Sequence, residues 1–336
     1  MLAGWLQRQW FSQRRLVPAL WLLLPLLLPL SWLFAFLAAL KRRNTTPARL
    51  SVPVIVVGNI TVGGAGKTPL TIWLARQLRQ RGWRPGIVSR GYGGNNTEPC
   101  AVGETSLPSE VGDEPILLAQ HSACPVWVGR NRAAAGWALL VAHPEVDVIL
   151  CDDGLQHYRL ARDVELAVFD GRGAGNGWRL PLGPLREPLR RLRRVDAIIC
   201  NGQRESRIPE GVAVFDMRLL PGDFYRFGDA SKSCRAADFS GKKLYALAGM
   251  GDPGRFFRTL AGLDLIFESH PFPDHHAYAA ADLAFAQDGI LLMTEKDAVK
   301  CVGLTAGETW VLPVDAELSP ALIDLILEKL RGRQAA

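Results

Sequence analysis

A glycine-rich turn followed by a lysine and a threonine, over residues 59–68, is the segment of this sequence with the clearest chemistry. It reads NITVGGAGKT. Its glycines would let backbone N–H groups close around phosphate oxygens, at the positive end of a following helix. Lys67 would reach the β- and γ-phosphates of a nucleotide, and the Thr68 hydroxyl would hold Mg²⁺. The residues predicted to contact the phosphates are Thr61, Val62, Gly63, Gly64, Ala65, Gly66, Lys67 and Thr68.

The turn departs from the consensus G-x-x-x-x-G-K-[ST] at one position. Thr61 stands where the consensus has glycine, and Gly58 lies three residues earlier. The context nevertheless fits, because the β-branched run 54–57 predicts a buried strand and apolar residues recur at helical spacing over 70–78. A ligand-free turn between a strand and a helix is the alternative, and this context favours a nucleotide phosphate site over it.

Two adjacent aspartates follow a second strand-like segment. The run 146–151, VDVILC, predicts a strand that ends in Asp152 and Asp153. A carboxylate at that strand end can hold the Mg²⁺ that Thr68 also holds, because the carboxyl ends of parallel strands meet at one crevice. An acidic turn without a ligand is the alternative, which the upstream phosphate loop disfavours. Which of the two aspartates contacts the metal directly stays open.

Three further clusters of polar residues could contribute to a site. Arg90 opens a flexible glycine-rich loop, where it can meet an anionic substrate. The arginines at 190, 191, 193 and 194 indicate either a solvated helix face or a site for an anion or a lipid headgroup. His275 and His276 are adjacent and would point in different directions, which favours one imidazole in a cleft over a two-histidine metal site.

The N-terminal region contains a long apolar segment. Residues 17–40 carry no charge and are long enough to cross a hydrocarbon core of ~30 Å. A cleavable signal peptide would have an apolar core of only about 7–15 residues. Pro25 and Pro29 would kink a helix here, so a bent segment within one leaflet competes with a span. The cluster 41–43 favours a cytoplasmic catalytic domain, although basic residues also precede the segment at Arg8, Arg14 and Arg15.

Composition limits the class of protein. The 336 residues are 48% hydrophobic and 21% charged, which is typical of a globular chain. A formal charge of +6 is too small to indicate nucleic-acid binding by itself. The six cysteines are scattered with no C-x-x-C pair, which indicates buried free thiols in a reducing compartment rather than disulfides or a zinc site.

The distribution of strand-like and helix-like segments predicts four regions. They are a membrane anchor over 1–43, a phosphate-loop core over 44–219, a linker over 220–242 and a C-terminal α/β domain over 243–336. The last region contains a G-x-G-x-x-G over 249–254, which imitates a dinucleotide fingerprint. The short helix after it and the proline inside it disfavour a second nucleotide site.

Taken together, these motifs resemble those of the tetraacyldisaccharide 4′-kinases, the lipid A 4′-kinases of Gram-negative bacteria. The resemblance covers nearly the whole chain, and the order and spacing of its motifs make it specific. They are VVGNITVGGAGKTP, SRGYGG, VGDEP, GRNR, DDGLQH, LPLGPLREP, PFPDHH and TEKDAVK.

The resemblance implies a fold, an activity and partners. The fold would be a P-loop NTPase-like, mostly parallel α/β sheet with a smaller C-terminal α/β domain and an N-terminal membrane helix. The activity would be ATP- and Mg²⁺-dependent phosphorylation of the 4′-hydroxyl of tetraacyldisaccharide 1-phosphate, giving the 1,4′-bisphosphate in lipid A and lipopolysaccharide biosynthesis. The implied location is the cytoplasmic face of the inner membrane. The expected partners are the lipid substrate and the membrane surface, with neither nucleic acid nor an obligate protein.

The resemblance also implies roles for individual residues. Asp113 would be the base at the acceptor hydroxyl, paired with His275 or His276, with a slight preference for His276. Lys67 would act in catalysis, and Asp152 and Asp153 would share the contacts with Mg²⁺ and its water. The residues implied to contact substrate, directly or through a neighbour, are Arg90, Glu114, Arg130, Gln156, His157, Arg186 and Glu187.

Two other functions are compatible with parts of the sequence. A membrane-tethered P-loop switch would use hydrolysis to change a partner's conformation and would need no acceptor base. A dinucleotide enzyme would use the loop over 249–254. The kinase is the only one of the three that uses the phosphate loop, the apolar anchor and Asp113 together.

Overall fold

The computed structural model of the chain describes residues 5–6, 9–11, 18–304 and 307–334, which form two sheets and a protruding N-terminal helix. The predicted flanking charges Arg8, Arg14 and Arg15 lie outside the described residues. The helices are α1 (Pro18–Arg43), α2 (Lys67–Gln80), α3 (Pro108–Val111), α4 (Asp113–Ser122), α5 (Arg132–Ala142), α6 (Pro253–Ala261), α7 (Glu295–Ala298) and α8 (Ala321–Gln334).

A nine-stranded sheet forms the larger unit and has the order β15-β8-β7-β6-β1-β5-β2-β4-β3. All its pairings are parallel except those of the two edge strands, β3 and β15. The predicted mostly parallel sheet is therefore confirmed. The strands are β1 (Val54–Gly58), β2 (Pro85–Ser89), β3 (Cys100–Ala101), β4 (Val126–Val128), β5 (Val148–Asp152), β6 (Val164–Asp170), β7 (Ala197–Asn201), β8 (Ala213–Pro221) and β15 (Val314–Leu318).

The central strand β1 is buried on both faces, which explains its continuous apolar run. Ile55 and Val57 pack with Leu70 and Leu74 of α2 in one core layer. Val54 and Val56, whose side chains alternate with those, belong to the core layer on the other face. This packing holds the residues after Gly58 at the carboxyl edge of the sheet.

A six-stranded sheet forms the smaller unit and has the order β10-β9-β14-β13-β11-β12. The four strands β14-β13-β11-β12 are parallel, and β9 and β10 extend the sheet in antiparallel pairing. The strands are β9 (Phe224–Arg226), β10 (Asp229–Cys234), β11 (Leu244–Ala248), β12 (Glu268–Pro271), β13 (Ile290–Thr294) and β14 (Thr309–Leu312).

The course of the chain between the two sheets differs from the predicted boundaries. The segment 220–242, predicted as a linker, contains β9 and β10 of the smaller sheet. The predicted C-terminal domain, 243–336, remains with that sheet only as far as β14. Strand β15 returns to pair with β8, and α8 buries Leu322, Ile326 and Leu330 in the core of the larger unit. Strand pairing between segments about a hundred residues apart leaves no local sequence signal.

The helix α1 continues through Pro25 and Pro29 and is the one helix among the described residues that is long and apolar enough to cross a membrane. Most of its large apolar side chains, including Trp32 and Phe36, are exposed. Leu27 packs against Leu182, and the Ser31 hydroxyl donates to the Arg179 carbonyl at 3.1 Å. The helix is therefore attached to the body of the protein along one side and presents an apolar surface on the other.

Candidate active site

The predicted phosphate loop lies at the carboxyl end of β1, directly before α2. Gly66 precedes the helix with a φ of 96°, in the left-handed region that glycine adopts readily. The Asn59 side-chain amide donates to the Gly63 carbonyl at 3.1 Å and ties the loop together. The first N–H groups of a helix have no partner within it, so this arrangement suits an anion.

Lys67 lies in this loop beside two groups that the sequence also singled out. Its Nζ is 3.6 Å from Asp153 Oδ1, and the guanidinium of Arg186 is 3.4 Å from the same oxygen. Burial alone would raise the pKa of Asp153, but the two cations outweigh burial and its pKa lies below the ordinary value. The lysine therefore has an ionised carboxylate as its neighbour.

Asp152 is fully buried at the end of β5, next to Val57 of β1. The Thr71 hydroxyl donates to its Oδ1 at 3.2 Å, and its Oδ2 has no hydrogen-bond partner among the described residues. Burial and the charge of Glu114 raise its pKa to about 7. Mg²⁺ prefers oxygen ligands. This strand end offers an unpartnered carboxylate oxygen and a second carboxylate, and the first turn of α2 offers a hydroxyl group. Thr68 lies in that turn with a half-buried side chain.

Asp113 and His275 form a hydrogen-bonded pair between the two units of the protein. Asp113 begins α4, is 4% exposed, and its Oδ2 lies 3.0 Å from His275 Nδ1. Burial opposes ionisation of both groups, but their mutual hydrogen bond together with neighbouring charges, those of Lys296 for Asp113 and Asp274 for His275, outweighs burial. The pKa of Asp113 is consequently lowered and that of His275 raised. The preference for His276 as the partner of Asp113 is wrong, because His276 Nε2 contacts Asp282 at 3.1 Å instead.

The backbone explains this choice between adjacent histidines. His275 has a φ of 58°, in the left-handed region, and this turn directs its ring to Asp113 and to the ring of Tyr92, whose centroid is 4.7 Å away. One imidazole, that of His275, therefore lies in the cleft between the two units, as predicted. A left-handed residue that is not glycine leaves no signal in the sequence.

Lys296 is a residue of this region to which the sequence analysis assigned no role. Its Nζ lies 3.1 Å from Glu114, 3.0 Å from Asp274 and 3.9 Å from Asp113. It belongs to the TEKD segment after β13, in the smaller sheet, while Glu114 and Asp113 belong to the larger unit. The lysine therefore joins the two units beside the Asp113–His275 pair. In the sequence, its position within the TEKDAVK motif was the one indication of a functional role.

Gln156, Arg186 and Glu187, predicted as substrate residues, form one hydrogen-bond network. The Gln156 amide donates to Glu187 at 2.8 Å and to the Asn59 carbonyl at 3.0 Å. The Arg186 guanidinium donates to Gln156 at 3.3 Å and to Asp153. The segment that carries Arg186 is held against the phosphate loop, where the Arg186 N–H donates to the Ile60 carbonyl at 2.7 Å. Their contact with substrate remains a prediction.

The other predicted substrate residues differ in burial and in the contacts they make. His157 Nε2 accepts the Arg132 N–H at 3.1 Å at the start of α5, and burial with nearby arginines lowers its pKa to about 4. This histidine is therefore neutral and supports a helix end. Arg90 and Arg130 are exposed.

Two further residues contact the phosphate loop from strand ends. The Asn201 amide, at the end of β7, donates to the Ala65 carbonyl at 3.2 Å. The Arg172 guanidinium lies so close to Gly63 that a side-chain carbon there would be 3.0 Å from it. Asn201 ends β7 and Arg172 lies two residues after the end of β6, so a search of the carboxyl ends of all parallel strands would have found them. The loop over 249–254 also approaches this site, since a side-chain carbon on Gly251 would lie 3.3 Å from Gly64 N.

Comparisons with known proteins show the family of the chain. A sequence model of the family described as Tetraacyldisaccharide-1-P 4′-kinase matches residues 23–331. A tetraacyldisaccharide 4′-kinase of Dechloromonas aromatica is 70% identical over 337 residues, covering all of both chains. One of Methylobacillus flagellatus is 48% identical, covering 97% of this chain and 96% of the relative.

A solved structure of LpxK from Aquifex aeolicus in complex with ATP has the same fold. It superimposes with a TM-score of 0.76 at 28% identity, covering 90% of this chain and 98% of the other. The sequence match and the structural match therefore extend over both sheets. This chain belongs to the tetraacyldisaccharide-1-P 4′-kinase family.

Proposed function

We propose that this protein transfers the γ-phosphoryl group of ATP to the 4′-hydroxyl of a tetraacyldisaccharide 1-phosphate, giving the 1,4′-bisphosphate. The observation that carries the proposal is the hydrogen bond between the buried Asp113 and the half-buried His275, at the crevice that also contains the phosphate loop. Glu114, the residue after Asp113, is near enough to Asp152 to raise its pKa. A phosphate-binding loop and a proton acceptor in one crevice are the parts that phosphoryl transfer to an alcohol requires.

Some of these residues neutralise charge during phosphoryl transfer, and others accept the proton of the acceptor hydroxyl or position the group that does. Lys67 and the loop N–H groups neutralise the transferring phosphates, and Arg186 offsets the negative charge of Asp153 beside Lys67. Asp113 receives the proton of the 4′-hydroxyl, while His275 orients its carboxylate through their hydrogen bond. Lys296 keeps the smaller unit, and with it His275, against Asp113.

The group Asp152, Asp153 and Thr68 would hold Mg²⁺. When bound, the ion neutralises charge on the β- and γ-phosphate oxygens. The unpartnered Oδ2 of Asp152 supports this assignment, because a buried carboxylate oxygen without a donor is otherwise costly.

The apolar helix α1 supports a membrane location. We infer that its exposed apolar side, which includes Trp32 and Phe36, enters the inner membrane from the cytoplasmic face. The basic residues Lys41, Arg42 and Arg43 in its last turn would then lie at the headgroup level. An enzyme held there reaches an acceptor whose acyl chains remain in the bilayer.

The experiment that tests this function is incubation of the purified protein with γ-labelled ATP, Mg²⁺ and tetraacyldisaccharide 1-phosphate in detergent micelles. We expect label in the lipid with the wild-type chain and none with Asp113→Ala, while ATP binding stays near normal. The exposed Asp264→Ala serves as the control for removal of a carboxylate. Label released only as free phosphate, with or without lipid, would support the switch NTPase instead.

A further inference from the structure

An open groove of about 460 Å³ lies beside the cytoplasmic end of α1, away from the phosphate loop. Five arginines and a tyrosine form most of its wall, and we call it the arginine groove. These residues are Arg42, Arg49, Tyr158, Arg162, Arg191 and Arg194. It includes two members of the basic run over 190–194, one of which, Arg191, is buried.

The groove carries more positive than negative charge. Glu165 is its one lining carboxylate and contacts both Arg162 and Arg191. Outside the lining set, Asp163 lies 3.5 Å from Arg49 and Glu187 lies 3.5 Å from Arg191. Among the described residues, no carboxylate lies within 4.0 Å of the Arg42 or Arg194 guanidinium. Two of the five cations therefore have no anionic neighbour in the part of the chain that the structure describes.

Arg191 provides an independent indication of a ligand. Its side chain is 3% exposed, yet its Nη1 has no hydrogen-bond partner among the described residues. Its other nitrogens are occupied, Nη2 by Glu165 and Nε by the Tyr158 hydroxyl at 3.3 Å. A buried guanidinium nitrogen without an acceptor is costly, and the fork geometry of arginine matches the oxygens of a phosphate.

The location of the groove favours a phosphate group that is carried by a membrane lipid. Arg42 lies in the last turn of α1, and its guanidinium stacks 4.5 Å above the Tyr158 ring. When the apolar side of α1 is in the membrane, the groove lies at the depth of the lipid headgroups. An anionic lipid can therefore enter it without leaving the bilayer.

The groove is also connected to the candidate active site. The Tyr158 hydroxyl donates to Glu187, which accepts from Gln156. Gln156 in turn accepts from Arg186, which contacts Asp153 beside Lys67. A ligand that moves Tyr158 or Arg191 would consequently affect the orientation of groups at the phosphate loop.

We propose that the arginine groove is a second anion site, which binds a lipid-borne phosphate group at the membrane surface. The proposal rests on the proposed function for its membrane setting. Two lipids have the required chemistry: an acidic phospholipid of the bilayer, and the acceptor itself through its 1-phosphate. Both would place phosphate oxygens among Arg42, Arg191 and Arg194.

The test compares Arg194→Glu with Arg193→Glu in the full-length protein. Both are exposed arginines of the same short helix, Leu189–Arg194, and only Arg194 lines the groove. The first measurement is retention of phosphatidylglycerol by the protein in neutral detergent, by native mass spectrometry. The second is the KM for an acceptor with and without its 1-phosphate, in phosphatidylcholine micelles.

If a phospholipid is the ligand, Arg194→Glu loses about tenfold in phosphatidylglycerol retention relative to Arg193→Glu. If the acceptor is the ligand, Arg194→Glu raises the KM for the 1-phosphate acceptor by a similar factor. The KM for the acceptor without that phosphate is then the same in both variants. Equal behaviour of the two variants in both measurements would overturn the proposal. The retention measurement requires no catalysis, so absence of kinase activity would count against the proposed function without deciding this one.

Discussion

At the scale of single residues, the adjacent aspartates Asp152 and Asp153 illustrate how environment separates identical groups. Burial and the charge of Glu114 raise the pKa of Asp152, whereas Lys67 and Arg186 lower that of Asp153. Asp152 therefore offers a carboxylate oxygen without a hydrogen-bond partner among the described residues, whereas Asp153 forms an ion pair with Lys67. Two carboxylates with opposite shifts at one strand end are typical of a functional site.

The adjacent histidines should differ sharply in their effect on catalysis. His275→Gln removes the imidazole that contacts Asp113, so we expect kcat to fall about 10²-fold. His276→Gln alters a residue that contacts Asp282 and should retain near wild-type kcat. Lipid-kinase assays of both variants, with ATP binding as the control for folding, make the comparison. A larger loss in His276→Gln than in His275→Gln would contradict the assignment.

The Asp113–His275 pair should make the free energy of unfolding depend on pH in a defined direction. The pKa of His275 is above its ordinary 6.5, so its contribution is fully present below pH 6.5 and is lost as pH rises through the folded-state value. The pKa of Asp113 is below its ordinary 3.8, so its contribution is present above pH 3.8.

The free energy of unfolding of the wild type should therefore exceed that of His275→Gln most between pH 3.8 and 6.5. Urea unfolding of both proteins across this range and in alkaline buffer gives the measurement. A difference that grows above pH 6.5 would mean that the histidine is not stabilised in its charged form.

At the scale of elements, the return of β15 and α8 to the larger sheet determines which parts of the chain fold together. Helix α8 buries Leu322, Ile323, Ile326 and Leu330 completely. Each such side chain contributes about 1.5–3 kcal/mol, and together they approach the ~5–15 kcal/mol that keeps a whole domain folded. The core that holds the phosphate loop therefore depends on the last residues of the chain.

Removal of residues 314–336 should consequently abolish ATP binding, although all predicted phosphate contacts lie before residue 69. A weaker version of the same effect is expected for Ile326→Asp, which places a charge in the core. The exposed Glu328→Asp on the same helix is its control. Thermal unfolding and nucleotide binding provide the measurements. A truncated chain that binds ATP normally would mean that the larger unit is complete without α8.

At the scale of the whole molecule, the protein has two sheets whose facing loops form one site and a helix that extends from one of them. Lys296 and His275 belong to the smaller unit and contact Asp113 of the larger one. The site therefore exists only when the units are together. The apolar side of α1 lies outside both cores and is available for a membrane.

Deletion of residues 1–43 should release the protein from membranes wholly or in large part. Because α1 supplies the exposed apolar side chains, Trp32→Ser with Phe36→Ser should weaken sedimentation with vesicles in the full-length chain as well. ATP binding, whose predicted phosphate contacts all lie within residues 61–68, is the internal control. Unchanged sedimentation of the deleted chain would show that another surface binds lipid.

The sequence alone was sufficient to predict the phosphate loop, the Asp152–Asp153 strand end, the apolar helix and the mostly parallel sheet. The first three depend on spacing within a short segment, where local geometry and burial leave a periodic pattern, whereas the mostly parallel sheet was implied by the family resemblance. The tertiary structure alone decided that His275 rather than His276 contacts Asp113, and that β15 returns to β8. It also decided that Arg191 of a basic run is buried. These outcomes depend on which distant segments pack together, and the free energy of such contacts is not encoded in the spacing of neighbouring residues.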